Sequence, residues 1–97
     1  MLDIKQNHLE LIKEILSVLP NTAEVWAFGS RIQGTANEFS DLDLVIVSNE
    51  KLEWRIFAKL KTEFEESNLP FKVDLLDWNT IPEHMQNNIK QKYEIIF

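Results

Sequence analysis

The stretch Gly29-Ser30-Arg31-Ile32-Gln33-Gly34-Thr35-Ala36-Asn37-Glu38-Phe39-Ser40-Asp41-Leu42-Asp43 lies between two apolar runs, Val25-Trp26-Ala27-Phe28 before it and Leu44-Val45-Ile46-Val47 after it. Both runs have the β-branched and aromatic bias of buried strands, so the stretch connects two strands. Gly29 lets the backbone turn without a Cβ clash and Ser30 is a favoured helix cap, which predicts a short helix after Ser30 that Gly34 stops. Such a turn directs main-chain N–H groups and the positive end of a helix dipole at whatever lies above it, an environment suited to a phosphate.

Asp41 and Asp43 are two residues apart at the head of the second strand, so their carboxylates share one face. Neighbouring anions repel, and the pair is most readily tolerated with a cation between them; hard oxygen ligands with room for water and phosphate suit Mg²⁺. Asp74 interrupts the otherwise β-forming run Phe71-Lys72-Val73-Asp74-Leu75-Leu76-Asp77-Trp78. A carboxylate there is costly unless paired or metal-bound, which makes Asp74 a third candidate ligand and Asp77 a weaker one.

Around these motifs the chain alternates helix and strand. Leu9, Ile12, Leu16 and Leu19 recur at three and four, predicting an amphipathic helix over Asp3 to Leu19, ended by Pro20-Asn21. Strands are expected at about Thr22 to Phe28 and Asp41 to Val47. A second long helix is expected over Glu50 to Ser67 after the caps Ser48-Asn49, with Trp54, Phe57, Leu60 and Phe64 as its core stripe. Thr80-Ile81-Pro82-Glu83 opens a last helix through Met85 and Ile89, and Tyr93, Ile95, Ile96 and Phe97 form either a contact patch or part of the core. His8 and His84 read as surface or packing residues, and Ser40 as a loop cap. The pattern predicts one α/β domain over residues 1–97, a small mixed β-sheet with flanking helices and right-handed crossovers around the first two strands.

A net charge of −6 argues against a sequence-independent grip on nucleic acid, which needs Lys and Arg to neutralise phosphates, but leaves a nucleotide held through Mg²⁺ compatible. With no Cys, disulfides and thiolate metal sites are excluded, and the cytoplasm is the expected compartment. Met1-Leu2-Asp3-Ile4-Lys5 lacks the uninterrupted apolar core of a signal peptide, and no window reaches the length of a membrane span.

Gly29-Ser30, ten intervening residues and then Asp41-x-Asp43 resemble the signature of the DNA-polymerase-β-like nucleotidyltransferase superfamily. The small size narrows the resemblance to the minimal nucleotidyltransferase (MNT) domain, often paired with a HEPN-domain partner in toxin–antitoxin modules. The resemblance implies two Mg²⁺ ions, held by Asp41 and Asp43 with Asp74 on the acceptor side, and ATP as substrate. It assigns Gly29 and Ser30 to phosphate contact and offers Arg31 as additional charge. It also implies AMP transfer to a hydroxyl, expected to be a Tyr, of a HEPN-type toxin that the chain silences as its antitoxin. No length remains for an acceptor-holding domain, so a partner protein or a second copy is expected to supply that surface. The physical logic is the same: two ions about 3.5–4 Å apart stabilise the attacking and leaving oxygens of an in-line displacement. One departure stands out. Many minimal nucleotidyltransferases read Gly-Ser-Arg-Ala-Arg-Gly, whereas this chain has Ile32-Gln33 before Gly34. The alternative is therefore a catalytically weak or inactive module that neutralises its partner by binding alone.

Overall fold

A computed structural model of the chain describes residues 2–97. Helix α1 spans Gln6–Leu16, strand β1 Glu24–Phe28, helix α2 Ser30–Gln33, strand β2 Leu42–Val47 and helix α3 Trp54–Glu66. Strand β3 follows at Val73–Asp77, then a single 3-10 turn at Trp78–Thr80, helix α4 at Glu83–Gln91 and strand β4 at Glu94–Ile95. The strands form one mixed sheet in the order β3-β2-β1-β4. β1 runs antiparallel to both β2 and β4, while β2 and β3 are parallel and joined through α3.

The period of two along each strand divides the sheet into unlike faces. Val25, Ala27, Leu42, Leu44, Ile46 and Leu75 turn to one side, where they pack with Ile12 and Leu16 of α1 and Leu60 and Phe64 of α3. Each such Leu, Ile, Val or Phe, once buried, contributes about 1.5–3 kcal/mol of transfer free energy, so this layer supplies the main driving force of the fold. The intervening residues Trp26, Phe28, Asp43, Val45, Asp74 and Leu76 face the other way. There Val45 is fully buried, and the Trp26 ring stacks on Tyr93 with centroids 4.0 Å apart and leans on Trp78 at 5.2 Å. Alternation thus excludes Asp43 and Asp74 from the apolar layer and sets them together on the opposite face.

Several expectations are corrected. α1 is shorter at both ends than the apolar spacing suggests. α3 begins at Trp54 rather than Glu50, because the segment before it is held as a turn: Ser48 Oγ donates to Glu50 O, and Leu52 N donates to the Asp77 carboxylate at 2.9 Å. Of the expected stripe, Leu60 and Phe64 are buried, but Trp54 in the first turn is 67 % exposed. β1 and β2 are antiparallel, so no crossover links them; the parallel connection is β2-α3-β3 alone. The C-terminal residues divide between the two roles left open for them. Ile96 is buried and its N–H reaches Val25 O at 2.9 Å, whereas Tyr93, Ile95 and Phe97 remain exposed.

Candidate functional site

The Gly-Ser turn forms where expected, with the capping role shifted by one residue. Gly29 occupies the N-cap of α2 at φ 78°, its carbonyl accepting from Ile32 N at 3.0 Å and Gln33 N at 3.1 Å, and Ser30 is the first helical residue. Gly34 ends the helix in the left-handed region at φ 80°. Gly29 is required twice over. Its φ favours a residue without Cβ, and a Cβ built there would overlap the Asp43 carboxylate, lying 3.1 Å from Cγ. The turn and Asp43 are therefore closely packed against each other. The N–H groups of the first helical turn have no partner within the helix, which leaves those of Ser30 and Arg31 as donors beside Asp43.

On the parallel β2–β3 pair, Asp43 is the register partner of Asp74. Asp41 lies two residues before Asp43, just ahead of β2 and exposed. The Asp43 carboxyl is pushed above the ordinary carboxylate range, first by burial and then by the negative charges of Asp74 and Asp41. Asp74 draws the Lys72 ammonium to 3.4 Å of its Oδ1, an exposed pair that partly offsets the local charge. The charges of Asp74 and Asp41 are thus both felt at Asp43. Among the described residues no three His, Cys, Asp or Glu side chains converge closely enough to enclose an ion by themselves. The donor set is all carboxylate oxygen, and its mutual repulsion is the kind a divalent cation relieves. It fits a hard ion such as Mg²⁺ that keeps waters and substrate oxygens in its coordination shell, rather than a closed protein cage.

Arg31 takes a different place from the one its sequence position suggests. Its side chain is only 4 % exposed. Nε and Nη2 donate to Ser40 O at 3.0 and 2.8 Å, Nη2 also to Glu38 O at 3.0 Å, and Nη1 to Asp3 O at 2.9 Å. The guanidinium also lies 4.2 Å above the Phe71 ring. In this conformation it is not free to meet a phosphate; it ties the loop before Asp41 to the N-terminal segment. Ser40 completes that loop, its hydroxyl accepting from Asn37 N at 3.0 Å. Asp77, the weaker third-ligand candidate, lies on the opposite face of β3 from Asp74, where its two oxygens accept from Leu52 N and Asn79 N. It is a buried structural acceptor. The sequence reading gave no sign of a cavity beside the Gly29 turn. Phe28, Gly29 and Gln33 share a cavity of about 210 Å³ with Met85, Asn88, Ile89 and Lys92 of the α4 region.

A mixed sheet carrying neighbouring carboxylates on β2 and β3, with a glycine turn packed under one of them, defines a nucleotide-handling α/β domain of the transferase kind. The chain belongs to the polymerase β nucleotidyltransferase family, whose model matches residues 10–97. It is 47% identical over 95 residues to the Haemophilus influenzae protein named "probable protein adenylyltransferase MntA", covering 98% of this chain and 83% of that one. Its fold is shared with a toxin–antitoxin crystal structure containing AMP-PNP, at a TM-score of 0.74 and 21% identity over 92% of this chain and 72% of the other. It is shared too with the structure of a tri-AMPylated Shewanella oneidensis HEPN toxin in complex with its MNT antitoxin, at a TM-score of 0.64 and 16% identity, covering 97% and 72%. Among the described residues no helix is long and apolar enough to cross a membrane.

Proposed function

We propose that residues 1–97 act as one nucleotidyltransferase unit in the cytoplasm, moving AMP from ATP to a hydroxyl of a HEPN-type protein partner, expected to be a Tyr, and thereby acting as its antitoxin. The observation that carries this reading is the Asp43–Asp74 register pair with Gly29 packed against Asp43, supported by the likeness to the Haemophilus protein named as an adenylyltransferase. In the transfer, the acceptor oxygen bonds to the α-phosphorus, the bond from that phosphorus to the bridging oxygen breaks, and pyrophosphate leaves. Gly29 leaves room for the phosphates to approach, and Ser30 donates to them. Asp74, half exposed at the edge of the sheet, takes the proton of the acceptor hydroxyl. Asp41, Asp43 and Asp74 would hold the Mg²⁺ ions, which when bound supply charge neutralisation for the attacking and leaving oxygens.

The experiment is neutralisation of a HEPN-type partner by the wild-type chain and by an Asp41→Ala, Asp43→Ala double variant, with the mass of the partner read in parallel. The proposal expects AMP adducts and protection with the wild type and neither with the variant. Protection without adducts would make the chain a binding module only.

A further inference from the structure

The site is anionic at its centre, and a nucleoside triphosphate is itself strongly anionic, so a cation of this chain facing the phosphates would add to the neutralisation that Mg²⁺ supplies. Three basic residues lie near enough to consider. Arg31 is buried with all three of its guanidinium nitrogens committed to main-chain carbonyls. Lys72 is drawn to Asp74. Lys92 is different. It follows α4, where its own N–H caps the helix by donating to Ile89 O at 3.2 Å, and it lines the same cavity as Gly29 and Gln33. No carboxylate among the described residues lies within ion-pair distance of its ammonium.

We propose that Lys92, carried to the Gly29 turn by α4, is the triphosphate-binding cation of this chain and provides the charge that the neutral Gln33, lining the same cavity, does not. This deepens the nucleotidyltransferase reading and rests on it. An ammonium is suited to the task because it meets phosphate oxygens as a mobile point charge and needs no fixed planar geometry. Asn88, one helical turn earlier on α4 and lining the same cavity, adds an amide donor beside it. Lys92 lines a cavity whose wall includes Gly29, and Gly29 in turn packs against Asp43. A bound nucleotide would therefore lie with the β- and γ-phosphates toward Lys92 and the α-phosphate toward the carboxylates. The assignment makes Lys92 specific for the polyphosphate, with little bearing on the nucleoside.

The test is equilibrium binding of MgATP and AMP to the wild-type chain, Lys92→Gln and Lys92→Arg, with thermal melting as a control. Lys92 is exposed, so all three proteins should melt alike. The expected result is a loss of about tenfold in ATP affinity for Lys92→Gln, as for one charge-assisted contact, with AMP affinity changed less than about twofold and Lys92→Arg close to wild type. Equal losses for ATP and AMP, or none for either, would overturn the assignment of Lys92 while leaving the transferase reading standing. Failure of the wild-type chain itself to bind MgATP would overturn both.

Discussion

Gly29 and Asp43 are in contact across the turn: the glycine's missing side chain is the space that the aspartate carboxylate occupies. Two features that the sequence separates by the length of a loop are thus one physical unit, and disturbing the first displaces the second. Gly29→Ala should cost about 1–3 kcal/mol, from a non-glycine residue at φ 78° together with the overlap. AMP transfer should fall much further than stability, by about 100-fold, because the carboxylate is pushed from its place. Thermal melting and transfer rates on the same preparation separate the two effects.

The raised pKa of Asp43 makes a statement about stability. Its folded-state pKa lies above the ordinary value of 3.8, so its contribution is fully present below that value and is lost as the pH rises through the folded pKa. At neutral pH the ionised group therefore weighs against the fold. Asp43→Asn should melt higher than wild type at pH 7, and the difference should shrink toward zero as the pH falls below about 4. Added Mg²⁺ should raise the wild-type melting temperature at pH 7 and leave that of Asp43→Asn nearly unchanged. Melting curves across pH, with and without Mg²⁺, check both. A variant no more stable than wild type at pH 7 would contradict the electrostatic account.

Much of the architecture was legible because it follows from side-chain periodicity. Asp74 stood out as a carboxylate interrupting a β-forming run, and the sheet places it beside Asp43 because β2 and β3 are parallel neighbours in register. The turn glycine was legible from conformational freedom alone. Tertiary choices were not. Arg31 directly follows the Gly29-Ser30 turn, yet its long side chain folds back onto Ser40, Glu38 and Asp3, a destination set by loop carbonyls that no local pattern reveals. Trp54 has the spacing of a core residue, but it is the first residue of α3 and stays exposed to solvent. Lys92 carried no signal at all, since its place beside Gly29 depends on α4 returning to the turn.

Arg31 should behave as a structural residue. Arg31→Ala removes four hydrogen bonds to three main-chain carbonyls together with the packing of a buried side chain on Phe71, so a loss of about 1–3 kcal/mol is expected. Arg31→Lys should rescue little, because an ammonium cannot span the three carbonyls that the planar guanidinium reaches. If Arg31 instead served chiefly as a phosphate ligand, Arg31→Lys would keep wild-type stability and both variants would lose ATP affinity. Chemical denaturation paired with nucleotide titration distinguishes the two.

Asp77 and Asp74 lie three residues apart on β3, point to opposite faces, and should respond in opposite ways to loss of the carboxylate. The Asp77 side chain, 4 % exposed, accepts from Leu52 N at 2.9 Å and from Asn79 N at 3.0 Å, pinning both the approach to α3 and the turn after β3. Asp77→Ala should therefore destabilise by about 1–3 kcal/mol through two unpaired main-chain donors, while the folded fraction keeps its transfer rate per molecule. Asp74→Ala removes only a solvent-screened ion pair with Lys72 and should change stability by less than about 1 kcal/mol, yet abolish transfer. Active-site titration against denaturation midpoints reads this double dissociation. If Asp77→Ala lost transfer at full stability, or Asp74→Ala retained it, the third carboxylate of the site would have to be reassigned from Asp74 to Asp77.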